Sequence, residues 1–127
     1  MKIYRTGIMM AVMVLVITFY SGVSLANKSA VTIEAPDQAT KGTEITIKIH
    51  VTHSANNFFH YTNWVKVMVN GKEAAFWEYS AGNRPEDAKF TKEIKLTINA
   101  PMEIVAEANC NLHGSQGPAK KTISIKE

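Results

Sequence analysis

The sequence predicts an all-β protein: an immunoglobulin-like antiparallel β-sandwich of about seven strands, preceded by a signal peptide. Three observations carry this. Apolar and polar residues alternate at period two through most of residues 27–127. Turn signals break the alternation at short intervals. No run after residue 26 shows the apolar spacing of a helix. Strict alternation places every second side chain on one face, the pattern of a half-buried strand.

The strands are read in order. "AVTIEA" is the first. In "TEITIKIHVTH", Ile45, Ile47, Ile49 and Val51 alternate with Thr46, Lys48, His50 and Thr52. Val65, Val67 and Val69 share one face of "NWVKVMVN", and "EAAFWEYS" follows. Ile94, Leu96 and Ile98 line "EIKLTI"; Ile104, Ala106, Ala108 and Cys110 line "MEIVAEANC"; Ile123 and Ile125 mark the last strand. Between them, residues 37–42 read as a turn. Asn70-Gly71 is a hairpin signal, because both residues tolerate the positive φ of a tight turn. "SAGNRPEDAK" is a longer loop and Asn99-Ala100-Pro101 a further break.

Residues 1–26 read as the export signal. Lys2 and Arg5 supply the positive start, residues 8–20 are almost wholly apolar, and Ser24-Leu25-Ala26 is a small-x-small cleavage site. The apolar run falls short of the roughly 20 residues of a spanning helix. The expected division is therefore 1–26 signal peptide and 27–127 a single domain. That domain would be periplasmic or otherwise exported, with no membrane contact after cleavage. The full chain carries a net charge of +3, of which Lys2 and Arg5 account for two, so the domain itself is near neutral. Without a basic stripe there is no case for nucleic acid. The aromatic residues Phe58, Phe59, Trp64 and Trp77 serve either core packing, the commoner use, or a homo-oligomer contact.

One cysteine cannot close an internal disulfide, and a lone thiol in an exported chain is open to oxidation unless buried or metal-bound. Cys110 lies in "EANCNLHGSQG", three residues before His113. C-x-x-H sets a thiolate and an imidazole on one turn, a spacing that serves a shared metal or a cysteine-histidine nucleophile pair. No oxyanion-hole or glycine-elbow pattern accompanies it. His53 and His60 bracket the irregular "SANNFF" between two strands, where a rigid scaffold fixes loop ligands. His50 sits on the polar side of its strand and reads as an exposed strand residue. Three imidazoles and a thiolate at strand ends suit iron, copper or zinc and argue against calcium or magnesium. A blue-copper centre would want an axial methionine, and none follows Cys110.

These segments resemble the superoxide reductase family of the desulfoferrodoxin and neelaredoxin type. "CNLHG" is similar to its C-N-x-H-G motif and "HYTNW" to its H-Y-[I]-E-W segment. His53 stands where the family has the histidine of H-P-x, with a gap to His60 one residue longer. "VTIEAP" resembles its V-I-E-x-P strand. The resemblance covers residues 27–127, and no N-terminal Cys₄ iron domain is present, so it is to the one-iron form. It implies a mononuclear Fe²⁺/Fe³⁺ centre with histidines in the plane and an axial cysteine, reducing superoxide to hydrogen peroxide with electrons from a donor protein. Carried over, the metal ligands are His53, His60, Cys110 and His113, and Lys28 is the cation that draws in the anion. The pattern departs before the first strand. Where the family has E-K-H, this chain has Asn27-Lys28-Ser29, so one histidine ligand and the glutamate are replaced. If cleavage leaves Asn27 first, its α-amino group lies two residues from that vacancy and is a further candidate donor. The alternative function is a non-catalytic periplasmic copper, zinc or iron binding or electron-transfer protein using the same ligands. A non-metal interaction module is the third class, and predicts that these residues do not converge.

Overall fold

The computed structural model describes residues 27–127; the predicted signal peptide lies outside the described residues. Eight strands follow in chain order: β1 (Ala30–Glu34), β2 (Gln38–Thr40), β3 (Thr43–Thr52), β4 (Thr62–Val69), β5 (Lys72–Glu78), β6 (Lys89–Ile98), β7 (Met102–Cys110) and β8 (Ala119–Lys126). They form a three-stranded sheet, β1-β3-β6, and a five-stranded sheet, β2-β8-β7-β4-β5. All pairings are antiparallel except β2 with β8.

The alternation decides which faces meet. Ile45, Ile47, Ile49 and Val51 of β3 are buried, with Phe90 and Ile98 of β6 beside them. Against them lie Val65 and Val67 of β4, Met102, Ile104, Ala106 and Ala108 of β7, and Ile123 of β8. Burial of this continuous apolar layer is the main driving force of the fold. Trp77 packs at the edge of the core, whereas Trp64 stacks on Phe76 on the outer face of the five-stranded sheet. Phe58 and Phe59 are exposed.

The β4–β5 hairpin turns at Asn70 and Gly71, with φ of 50° and 79°, as the Asn-Gly pair predicts. The strand missing from the sequence reading is β2. Its three residues lie inside what reads as a turn, and they pair in parallel with residues 124–126 of β8. On the outer face of the small sheet His50 is partly exposed and bonded to Glu34 at 2.7 Å and to Thr91 at 2.8 Å, so it is a strand-surface residue as expected.

Candidate metal centre

One end of the sandwich gathers the start of β1, the end of β3, the start of β4 and the end of β7. Thr62 pairs with Cys110 across β4 and β7, and the register slips between Thr62 and Trp64, leaving Asn63 as an extra residue. Such a bulge bends the strand and re-aims its neighbours. Asn109 holds it by donating from Nδ2 to Asn63 Oδ1 at 2.8 Å.

The loop after β7 is closed by mutual backbone bonds between Cys110 and Gly114, at 2.9 and 3.0 Å. Gly114 has φ of 81°, a conformation that favours glycine and explains it in "CNLHG". Asn111 joins this loop to the one before β4. Its Oδ1 accepts from Tyr61 N at 3.0 Å and its Nδ2 donates to Phe59 O at 3.0 Å. Asn57 in turn fixes His60, its Oδ1 accepting from the amides of Phe59 and His60, both at 3.0 Å. From the sequence Asn111, like Asn109, could orient a histidine; its partners here are backbone groups of the loop before β4, and Asn57 is the one with no expected role. The signals were present, an Asn inside the cysteine motif and an Asn three residues before a histidine, a spacing suited to a side-chain-capped turn.

These loops bring His53, His60 and Cys110 into one group, with His113 beside His60 and Cys110. His60 Nε2 lies 3.1 Å from Cys110 Sγ and 3.3 Å from His113 Nδ1, and His113 Nδ1 is 3.9 Å from Sγ. The His53 and His60 rings meet edge to face, with centroids 4.6 Å apart. Donor atoms of His53, His60 and Cys110 lie within 4.8 Å of one another, a group able to hold a metal ion. Two donors bound to one transition-metal ion at 2.0–2.3 Å stand about 3.0–3.6 Å apart for angles from 90° to tetrahedral. The His60–Cys110 and His60–His113 spacings fall within that range, and His113 lies wide of Sγ at 3.9 Å. Two imidazole nitrogens and a thiol sulfur crowd one another with no carboxylate among them, which fits iron, copper or zinc.

Burial grades the cluster. Cys110 and His53 are buried, His60 is half-buried and His113 is exposed, so the group opens to solvent on the His113 side. Burial pushes the His53 imidazole below its ordinary value of 6.5, opposed by its bond to the Asn27 backbone and assisted by the nearby His60 and His113. A neutral His53 is the form that ligates metal. Its Nε2 contacts Asn27 O at 3.2 Å, and its Nδ1 is buried without a hydrogen bond.

Ser29, at the position where the resemblance expects a histidine, is fully buried. Its hydroxyl bonds Thr62 Oγ1 at 2.8 Å. Its backbone is tied to the cysteine loop, the amide donating to Gly114 O at 3.3 Å and the carbonyl accepting from Gln116 N at 2.9 Å. Lys28 is half-buried and lines an open cavity of about 350 Å³ whose wall includes His53, Thr52 and Ser54. Lys89, which the sequence reading did not single out, lines the same cavity.

Fold and site together define a class: an immunoglobulin-like sandwich with a candidate cysteine-histidine metal centre at the ends of its strands. The chain belongs to the desulfoferrodoxin family, whose model matches residues 22–116. Among solved structures it resembles the superoxide reductase (neelaredoxin) of Ignicoccus hospitalis, at 19% identity over 78% of this chain and 82% of that one, with a TM-score of 0.65. It also resembles the reduced superoxide reductase (neelaredoxin) of Archaeoglobus fulgidus, at 17% identity over 76% and 89%, with a TM-score of 0.57. At these identities the likeness shows the fold. No curated protein matches the sequence.

Proposed function

We propose that the chain is an exported, mononuclear iron protein that reduces superoxide to hydrogen peroxide. On this reading residues 1–26 are a cleaved signal peptide and 27–127 the working domain, in the periplasm or an equivalent compartment. The carrying observation is the convergence of Cys110 Sγ with the imidazoles of His53, His60 and His113 in a desulfoferrodoxin-family fold.

His53, His60, His113 and Cys110 would hold the ion. The one-electron chemistry would come from ferrous iron, kept reduced by an external donor protein. Reduction of superoxide takes one electron and two protons to hydrogen peroxide, and solvent reaches the exposed His113 side to supply the protons. Cys110, buried and held by the β4–β7 pairing, places a strongly donating sulfur at the inner side of the centre. Asn111 and Asn57 fix the two ligand loops, the supporting role that orients first ligands in metal sites. Lys28 and Lys89 raise the local concentration of a small anion in the cavity beside His53.

Metal analysis of the native protein, followed by anaerobic stopped-flow mixing with superoxide, tests this. Iron, a thiolate charge-transfer band and second-order bleaching by superoxide are expected. The replacement of a family histidine by Ser29, whose hydroxyl is engaged with Thr62, favours one other reading: a non-catalytic iron, copper or zinc carrier. Bound metal without reaction would select it.

A further inference from the structure

Four large apolar side chains stand exposed among the described residues, and three of them adjoin the candidate ligands in the chain: Phe58 at 59%, Phe59 at 77% and Leu112 at 60%. Phe59 immediately precedes His60, and Leu112 immediately precedes His113. The two loops are fastened here, since Asn111 Nδ2 donates to Phe59 O at 3.0 Å, and the His60 and His113 rings meet with centroids 5.0 Å apart. Phe58 and Phe59 pack edge to face at 5.2 Å. A single exposed apolar residue is ordinary, but several gathered on joined loops mark a contact site.

The chemistry of these loops narrows the partner. Residues 54–65 and 108–119 contain no Asp, Glu, Lys or Arg, in a chain of which 20% is charged. No cation stands in either loop to meet a phosphate headgroup, which argues against an anionic lipid surface. The three side chains expose on the order of 400 Å², from roughly 200 Å² for a whole aromatic side chain. A stable dimer needs about 800 Å² from each partner, whereas brief redox encounters bury less than about 1,200 Å² in all. A lasting second copy on these loops would also cover the exposed His113. None of the three lines the cavity of Lys28 and Lys89, which is left to the anion.

We propose that Phe58, Phe59 and Leu112 form the docking face for the protein that supplies electrons to the centre, a redox protein that meets it through an uncharged apolar surface of its own. This rests on the proposed iron-dependent function. The encounter is brief and sets the donor beside His60 and His113. One electron leaves the donor and is taken up at the centre as Fe³⁺ becomes Fe²⁺, with no bond made or broken.

The photo-reactive residue p-benzoylphenylalanine, placed at Phe59, at Leu112 or, as a control, at Phe76 on the outer face of the five-stranded sheet, is irradiated in the producing cells. A protein bearing a redox group should be cross-linked from the first two positions and not from the third. That protein, purified and reduced, is then mixed anaerobically with the iron-loaded ferric chain. Phe58→Ser combined with Leu112→Ser should lower the second-order rate of reduction at least about tenfold and leave reduction by ascorbate unchanged. The wild-type rate should change less than about twofold between about 0.01 and 1 M salt. The absence of a cross-link, a second copy of the chain or a lipid captured instead, or a captured protein that does not reduce the chain overturns the proposal. A steep fall with salt overturns it too, because charges elsewhere would then hold the donor. If the chain takes up no iron or its ferrous form ignores superoxide, the proposed function falls and this proposal with it. If superoxide reacts and the doubly substituted chain still accepts electrons from the donor at the wild-type rate, the docking face alone is overturned.

Discussion

His60 Nε2 stands 3.1 Å from Cys110 Sγ, although the two residues are fifty apart in sequence. The contact depends on the β4–β7 pairing, which sets Thr62 opposite Cys110, and on the Asn111 side chain, which ties the two loops. The sulfur is thus presented by a strand end inside the sandwich and the imidazole by a loop outside it. A metal bound between them would be held by the sheet on one side and open to solvent on the other.

The sulfur is the most diagnostic donor. Cys110→Ala is expected to remove the thiolate-to-iron absorption band entirely while leaving the sheet intact, since alanine fits the small-residue series of Ala106 and Ala108. Visible absorption of the iron-loaded protein, with far-UV circular dichroism as a folding control, makes the comparison. A band that survives the substitution would assign the chromophore elsewhere.

Much of this was legible in the residues. Period-two alternation located the long strands, and Asn70-Gly71 gave the hairpin, because side-chain direction and turn conformation are local properties. The candidate donors could be picked out because their side chains are chemically distinctive. What escaped notice was non-local or carried no side-chain signature. β2 is three residues long, too short to show alternation, and it forms only because β8 lies alongside. The tie from Asn111 to Phe59 and Tyr61 exists only once the two loops meet. Lys89 reaches the cavity because β6 pairs with β3, setting it opposite Thr52.

Asn111 should matter more for metal than for stability. Asn111→Ala deletes the two hydrogen bonds to the loop before β4 and a long contact from Cys110 Sγ, at partly solvated groups, a cost of about 1 kcal/mol in urea unfolding. It frees the two ligand loops from one another, and loss of comparable supporting contacts weakens metal binding about 10–100-fold. Asn111→Asp keeps the acceptor for Tyr61 N and should fall between the two. Competition with a chelator reads the affinity; equal affinities in all three proteins would refute the clamp.

Acid should weaken the fold partly through two surface carboxylates. Lys121 beside Asp37 holds its carboxyl below the ordinary 3.8, and the bond to His50, aided by Lys48, holds Glu34 below 4.5. A carboxylate depressed in the folded state adds stability at pH above its unfolded value, and the contribution fades as pH falls through the folded value. Asp37 also accepts from Ser124 through its carbonyl, so its pairing steadies the β2–β8 edge. In acid titrations of the metal-free protein, the advantage of wild type over Asp37→Asn should be constant near neutrality and shrink below about pH 4. Both groups are exposed, so the difference is small. An advantage independent of pH would show that charge is not its source.

The cavity beside His53 gives the last test its form. Lys28 precedes β1 and Lys89 opens β6, so they line the cavity from different elements and each should add to the attraction of an anion independently. Lys28→Gln and Lys89→Gln should each lower the second-order rate constant for superoxide several-fold, and together by about tenfold, within the range ascribed to charge focusing in clefts. Raising ionic strength from about 0.01 to 1 M shortens the screening length from about 30 to 3 Å, so the wild-type rate should fall steeply and the doubly substituted rate little. At high salt the proteins should converge. Convergence separates long-range attraction from contact: a deficit that persists in high salt would mean that one lysine touches the reacting anion or shapes the site, and parallel salt slopes would mean that neither lysine steers it.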